Sequence, residues 1–203
     1  MQRGSTRASR NVAGLVAGTV VVVGCGVLAR RDRSPTEIRL FRRANGLPDR
    51  AYRAIWIPMQ YGTVGAVPAA AAVALTRRRP RLALAIAAGG TAAWLLAKAV
   101  KPIVDRGRPA SVIDDVVQRG TEEGDLGFPS GHAAVSATLT VVAWPYLAHG
   151  WRLPAAALCG FVPFARMYVG AHLPLDLVGG SALGLAIGCA VNLAIPAPEA
   201  ERA

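Results

Sequence analysis

Apolar residues fall into six runs separated by short polar links, at about Val12–Ala29, Ala54–Leu75, Leu82–Val100, Ala133–Ala148, Leu153–Val169 and Leu173–Ile195. Most come close to the ~20 residues that cross a bilayer core, and they are nearly free of charge. The fourth is short, and helix extending back toward Ser130 completes it. A water-soluble domain would instead alternate with a period of 3.6 or 2 residues. The pattern predicts an all-α, polytopic membrane protein, a six-transmembrane-helix bundle. It forms one membrane domain over residues 1–203, with 1–54 a first helix plus a basic interfacial segment and 55–195 the core.

Charge refines this picture. The net charge is +11, carried overwhelmingly by arginines in the links. No nucleic-acid-reading motif accompanies them, so no nucleic-acid partner is expected and anionic membrane lipids fit better. Residues 30–53 hold eight arginines among scattered apolar side chains. Thr36–Ala44 suits either a basic amphipathic helix closed by Asn45-Gly46 or a solvated loop with snorkelling arginines. Cys25, Cys159 and Cys189 sit inside apolar runs with no CxxC pair and read as packing residues. Val22-Val23-Gly24-Cys25 resembles a lipoprotein-type cleavage site, and a retained first helix is favoured over processing.

The longest internal link, Lys101–Phe128, carries Asp105, Asp114, Asp115, Glu122, Glu123 and Asp125, without calcium-loop spacing. It reads as a solvated lid. In the last run Gly180, Gly184 and Gly188 recur every four residues and continue the spacing of His172 and Asp176. Such a ridge lets helices approach closely in lipid and predicts packing that fixes His172.

Three polar clusters interrupt the apolar chain: Lys101 to Arg108-Pro109, Pro129-Ser130-Gly131-His132, and Arg166 to His172 and Asp176. Ionisable groups at membrane depth are costly and mark function by default. Two predicted crossings separate the clusters, so they can meet at one membrane face. Lys101, Arg108 and Arg166 supply fixed cations for a phosphate. Ser130 and Gly131 precede the fourth helix, whose free N–H groups attract an anion. His172 and Asp176 at i and i+4 place a carboxylate beside one ring nitrogen and leave the other free for nucleophilic attack. Pro174 fits the first turn of that helix. His132 suits a general acid for the departing group. No metal or other cofactor is called for, because the guanidinium and ammonium groups do the charge work. His149 lies in a short link on the opposite face and is given no role.

At these residues the chain resembles the type 2 phosphatidic acid phosphatase superfamily, whose pattern is K-x6-R-P, P-S-G-H and S-R-x5-H-x3-D. Ten positions match, over about residues 55–195. The resemblance implies a six-helix PAP2/haloperoxidase-like core and a membrane-embedded lipid phosphatase. Its phosphohistidine mechanism would use His172, Asp176 and His132. Ala165 stands where the family usually has Ser, which removes one hydroxyl near the phosphate. The expected substrate is a lipid phosphate, with polyprenyl (di)phosphates, phosphatidic acid and phosphatidylglycerol phosphate as candidates. The alternative is a non-catalytic PAP2-like lipid-phosphate-binding scaffold; both histidines argue for the enzyme, and oligomeric state is left open. The Arg/Ala/Gly bias fits a high-GC bacterium and its plasma membrane. The family usually places the site on the extracytoplasmic face, whereas the loops on the site's side carry thirteen cations against nine opposite, which by the positive-inside rule favours the cytoplasm. Catalytic cations are held for function, so the extracytoplasmic placement is preferred.

Overall fold

The computed structural model describes residues 2–31, 33–120 and 124–199. Glu122 and Glu123 of the acidic link lie outside the described residues. The described chain is all-α, with eight α-helices: α1 (Gln2–Ala29), α2 (Pro35–Asn45), α3 (Tyr52–Met59), α4 (Ala66–Thr76), α5 (Pro80–Val104), α6 (Gly131–Ala143), α7 (His149–Tyr168) and α8 (Pro174–Ala194). Three segments, Thr6–Ala29, Pro80–Val104 and Pro174–Ala194, are long and apolar enough to cross a membrane. Val16, Val20, Val23, Leu84, Leu95 and Val178 on these helices face outward. An apolar exterior of this extent needs lipid around it.

α8 is the central post, flanked by α1 on one side and by α6 and α5 on the other. The glycine ridge explains the closeness. A Cβ at Gly180 would lie 2.4 Å from the Ser130 carbonyl oxygen, and one at Gly184 2.3 Å from that of Ala134. Thr138 on α6 ties the contact by donating to the Gly184 carbonyl at 3.1 Å. The predicted close packing therefore forms against α6.

Two expectations change. The second apolar run is divided: α3 ends at Met59, Gln60–Gly62 makes one 3-10 turn, and α4 begins at Ala66. Gly62 permits the break because it presses on the first turn of α6, where a Cβ would fall 2.6 Å from the His132 carbonyl oxygen. Thr63 then donates to the Gln60 carbonyl at 2.8 Å and accepts from the Ala66 N–H. The break turns Gln60 and Thr63 toward the cavity described below.

The acidic link is also not a solvated lid along its length. Its ends are joined, Arg108 N–H to Asp125 carbonyl at 3.1 Å and Gly127 N–H to Arg106 carbonyl at 2.7 Å. Its middle is clamped by Asn45, whose side chain exchanges two hydrogen bonds with the Val117 backbone, and by Arg119, which donates to Asp49 and to the carbonyls of Asn45, Leu47 and Tyr168. Ile113 packs with Phe41 and Leu173. Its described acids Asp105, Asp114, Asp115 and Asp125 are exposed.

Residues 35–45 resolve as the helix. The Ser34 hydroxyl accepts the Glu37 N–H at 3.1 Å and caps α2, with Pro35 in its first turn. Arg39, Arg42 and Arg43 face outward while Glu37, Phe41, Ala44 and Asn45 are buried. The three cysteines are free thiols, Cys25 and Cys189 buried and Cys159 partly so.

Candidate active site

Lys101 occupies the last turn of α5, and its ammonium donates to the Leu126 carbonyl. The chain reverses at Asp105, the left-handed C-cap with φ 53°. Gly107 then pairs with Leu126, and Arg108 donates to the Ala171 carbonyl at 3.1 Å, which fixes it to the turn before His172. Ser130 caps α6: its hydroxyl accepts the Ala133 N–H at 3.4 Å and its own N–H donates to the Asp176 carbonyl at 2.9 Å. Arg166, near the end of α7, is 4% exposed. These bonds draw α5, α6, α7 and α8 together at one end of the bundle.

A cavity of about 640 Å³ opens there, lined by Arg108, His132 and Arg166, with Tyr52, Trp56 and Met59 of α3 across from them. Arg166, His172, Arg108 and Lys101 lie within electrostatic reach of the His132 ring. His172 follows Ala171, a lining residue, and is itself 1% exposed. Burial above all, then the charges of Arg166, Arg108 and Lys101, hold its imidazole well below the usual histidine range, while the Gly127 carbonyl opposes them. The ring is therefore neutral at pH 7. The sign is definite: a depressed pKa keeps the neutral form as pH falls. In a profile of kcat/KM against pH, corrected for the substrate's own ionisation, the acid limb belonging to His172 is expected below pH 6.5. A limb above that value contradicts this environment.

The His172–Asp176 pair differs from its expected form. His172 precedes α8 rather than riding on it, and Nδ1 stands 3.6 Å from Asp176 Oδ2, beyond hydrogen-bond length. Buried Nδ1 has no hydrogen-bond partner. The carboxylate is occupied elsewhere: Oδ2 accepts the Leu173 N–H at 2.9 Å and Oδ1 accepts from Arg106 at 3.1 Å. Such contacts tighten when a substrate arrives. Arg106, which sequence reasoning left without a role, is 2% exposed and also donates to Glu37 on α2 at 2.7 Å.

The sequence-predicted residues therefore meet. Lys101, Arg108, Arg166, His132, His172 and Asp176 share one end of the bundle, and His149 starts α7 at the far end of α6. Ser130 is fully buried and caps α6, so its hydroxyl is first a structural acceptor. Gly131 is not demanded by packing, since a Cβ there would meet only Ala97 at 3.9 Å. Gly131→Ala is accordingly expected to keep the parent's melting temperature in detergent within about 2 °C, a shift of about 1 kcal/mol or less. Any lowering of activity in that variant then reports approach of a phosphate to the backbone; a collapsed melting temperature contradicts the open space. Ala165 is fully buried among Ile55, Met59, Tyr168 and Val169. Among the described residues no group of three or more His, Cys, Asp or Glu is arranged to hold a metal ion.

The sequence profile of the PAP2 superfamily matches residues 80–198, which include all three clusters. The chain belongs to the PAP2 superfamily. The fold agrees with that of a transmembrane PAP2-type phosphatidylglycerolphosphate phosphatase from Bacillus subtilis, at a TM-score of 0.68 and 19% identity, covering 87% of this chain and 94% of that one. By sequence the chain is 27% identical over 124 residues to an undecaprenyl-diphosphatase of Sulfolobus acidocaldarius, a stretch of 58% of this chain. It is 35% identical over 91 residues, 42% of this chain, to a lipid A 4'-phosphatase of Bacteroides thetaiotaomicron. The matches span 57% and 40% of those relatives' own lengths. This PAP2 chain is thus an integral membrane protein whose relatives act on lipid phosphates.

Proposed function

We propose that the protein is a membrane-embedded, metal-independent lipid phosphatase that works through a phosphohistidine on His172. The observation that carries this reading is a buried, neutral imidazole set among Arg166, Arg108 and Lys101 beside a cavity that His132 lines. With Nδ1 turned to Asp176, Nε2 attacks the terminal phosphorus, and its bond to the leaving oxygen (the lipid alkoxide of a monoester, the bridging oxygen of a diphosphate) breaks as His132 delivers its proton there. Asp176 stabilises the positive charge that develops on the ring. Water, deprotonated by His132, then attacks the phosphohistidine, releasing phosphate and restoring His172. Lys101, Arg108 and Arg166, with the Ser130-Gly131 backbone at the start of α6, bind the phosphoryl oxygens as charge concentrates on them.

Six crossings fit this arrangement, with α3 and α4 together forming the second and α6 with its 3-10 extension the fourth. The whole chain is then one membrane domain whose core spans 55–195. The extracytoplasmic face remains the proposed side of the site. Arg106, Arg108, Arg119, Arg166 and Lys101 are committed to the site and its walls, so loop charge on that end overstates what the positive-inside rule weighs.

The substrate class is a phosphomonoester or diphosphate of a lipid, of polyprenyl or phosphatidic acid type. Detergent-purified protein assayed against polyprenyl diphosphate, phosphatidic acid and phosphatidylglycerol phosphate, with EDTA present, tests it. Phosphate release from at least one lipid, lost in His132→Ala, is expected. Binding of these lipids without any turnover overturns the proposal in favour of a scaffold.

A further inference from the structure

The least expected feature of the bundle is a buried chain of charges that starts on the interfacial helix. Glu37 on α2 uses both oxygens, one accepting from Arg106 at 2.7 Å and the other from the Leu175 N–H at the start of α8 at 3.0 Å. The side chains of Glu37, Arg106 and Asp176 are 4%, 1% and 0% exposed. One guanidinium thus serves two carboxylates, one of which faces the His172 ring. Burying three charges is costly, and an exposed surface pair contributes little, so stability alone is a poor reason for the arrangement.

We infer that Glu37 and Arg106 are positioning residues for the reaction: Arg106 fixes the rotation of Asp176 toward His172, and Glu37 holds Arg106 back from neutralising that carboxylate. Docking of α2 then completes the site, although α2 lies outside the stretch that carries the motifs. The inference rests on the phosphohistidine mechanism only for its kinetic consequence. Its structural consequence is independent: Asp176 selects the His172 tautomer with the proton on Nδ1. The charged and titratable groups facing that ring are Asp176 on α8, Arg166 on α7, His132 on α6, and Lys101 and Arg108 at and after the end of α5.

The test is Glu37→Gln, which keeps shape and removes charge, together with Glu37→Asp, which keeps charge on a shorter side chain. The chain has only three histidines, so 15N imidazole spectra of the full-length protein in micelles resolve each ring, and His149 at the far end serves as an unmoved reference. In the parent the His172 proton is expected on Nδ1. Glu37→Gln shifts population toward Nε2–H and lowers kcat about tenfold to a hundredfold, the range for one hydrogen bond to a charged group, with KM within about twofold. Glu37→Asp falls between parent and Gln on both measures, and it decides the matter alone if the Gln variant does not fold. A parent-like tautomer in the folded variants, or a higher KM with unchanged kcat, overturns the inference. If the parent releases phosphate from no lipid, the functional proposal fails while the tautomer measurement still decides this one.

Discussion

His172→Ala is expected to abolish phosphate release from every lipid phosphate that the parent hydrolyses, by on the order of 10⁴-fold or more, because it removes the covalent acceptor rather than a helper. No other histidine can take its place. His132 lies in the same cluster but is the proton donor of the proposed mechanism, and His149 is at the other end of the helices. The loss should come without unfolding. The ring is buried with Nδ1 unsatisfied, so truncation breaks no Nδ1 hydrogen bond, and the cavity left by the ring is expected to cost about 2–4 kcal/mol. Initial rates in detergent and a thermal melt of the same preparation check both halves. Activity within tenfold of the parent would mean that the nucleophile lies elsewhere.

Gly184→Val acts on the other axis. The new Cβ would sit 2.3 Å from the Ala134 carbonyl oxygen and 2.7 Å from the Ala137 Cβ, and a helix backbone cannot yield as a flexible side chain can. α6 must move away from α8, breaking the Thr138 bond to the Gly184 carbonyl and pulling Ser130 from the Asp176 carbonyl and His132 from His172. A cost of roughly 3–5 kcal/mol is expected, combining overpacking with a lost buried hydrogen bond. The melting temperature should fall sharply and activity with it. Gly24→Val, where a Cβ meets nothing within 4 Å, is the neutral control. A parent-like melt for Gly184→Val would show that the ridge does not set the helix spacing.

Much of the site is legible in the sequence because membrane depth makes charge conspicuous. Lys101, Arg108, Arg166, His132, His172 and Asp176 stand out against apolar runs at helix ends, and an even number of crossings returns them to one face. The glycine ridge is legible for the same reason that it works, since a four-residue spacing is a physical stripe on a helix. Glu37 and Arg106 were hidden among like residues. Ser34-Pro35-Thr36-Glu37 carries the S-x-x-E signature of a helix start, which could have raised α2 above the loop alternative. Nothing local shows that its glutamate reaches a residue 69 positions away. The break at Gln60–Gly62 escapes hydropathy because the run stays apolar overall, although Pro58, Gly62 and Gly65 are local signals for it. What sets the position of the break is the close contact of Gly62 with α6, a tertiary fact. The fold of the acidic link is likewise decided by Asn45 and Arg119, whose partners come from distant segments.

The central claim is a covalent bond between phosphorus and one ring nitrogen. The direct measurement is a rapid quench of the parent protein with a ³²P-labelled lipid phosphate, followed by separation of protein from lipid and mapping of the label. The account predicts protein-bound label that survives alkali, is lost in acid, maps to the peptide containing His172 and is absent from His172→Ala. Turnover by the parent with no such label, or label that persists in His172→Ala, would contradict it.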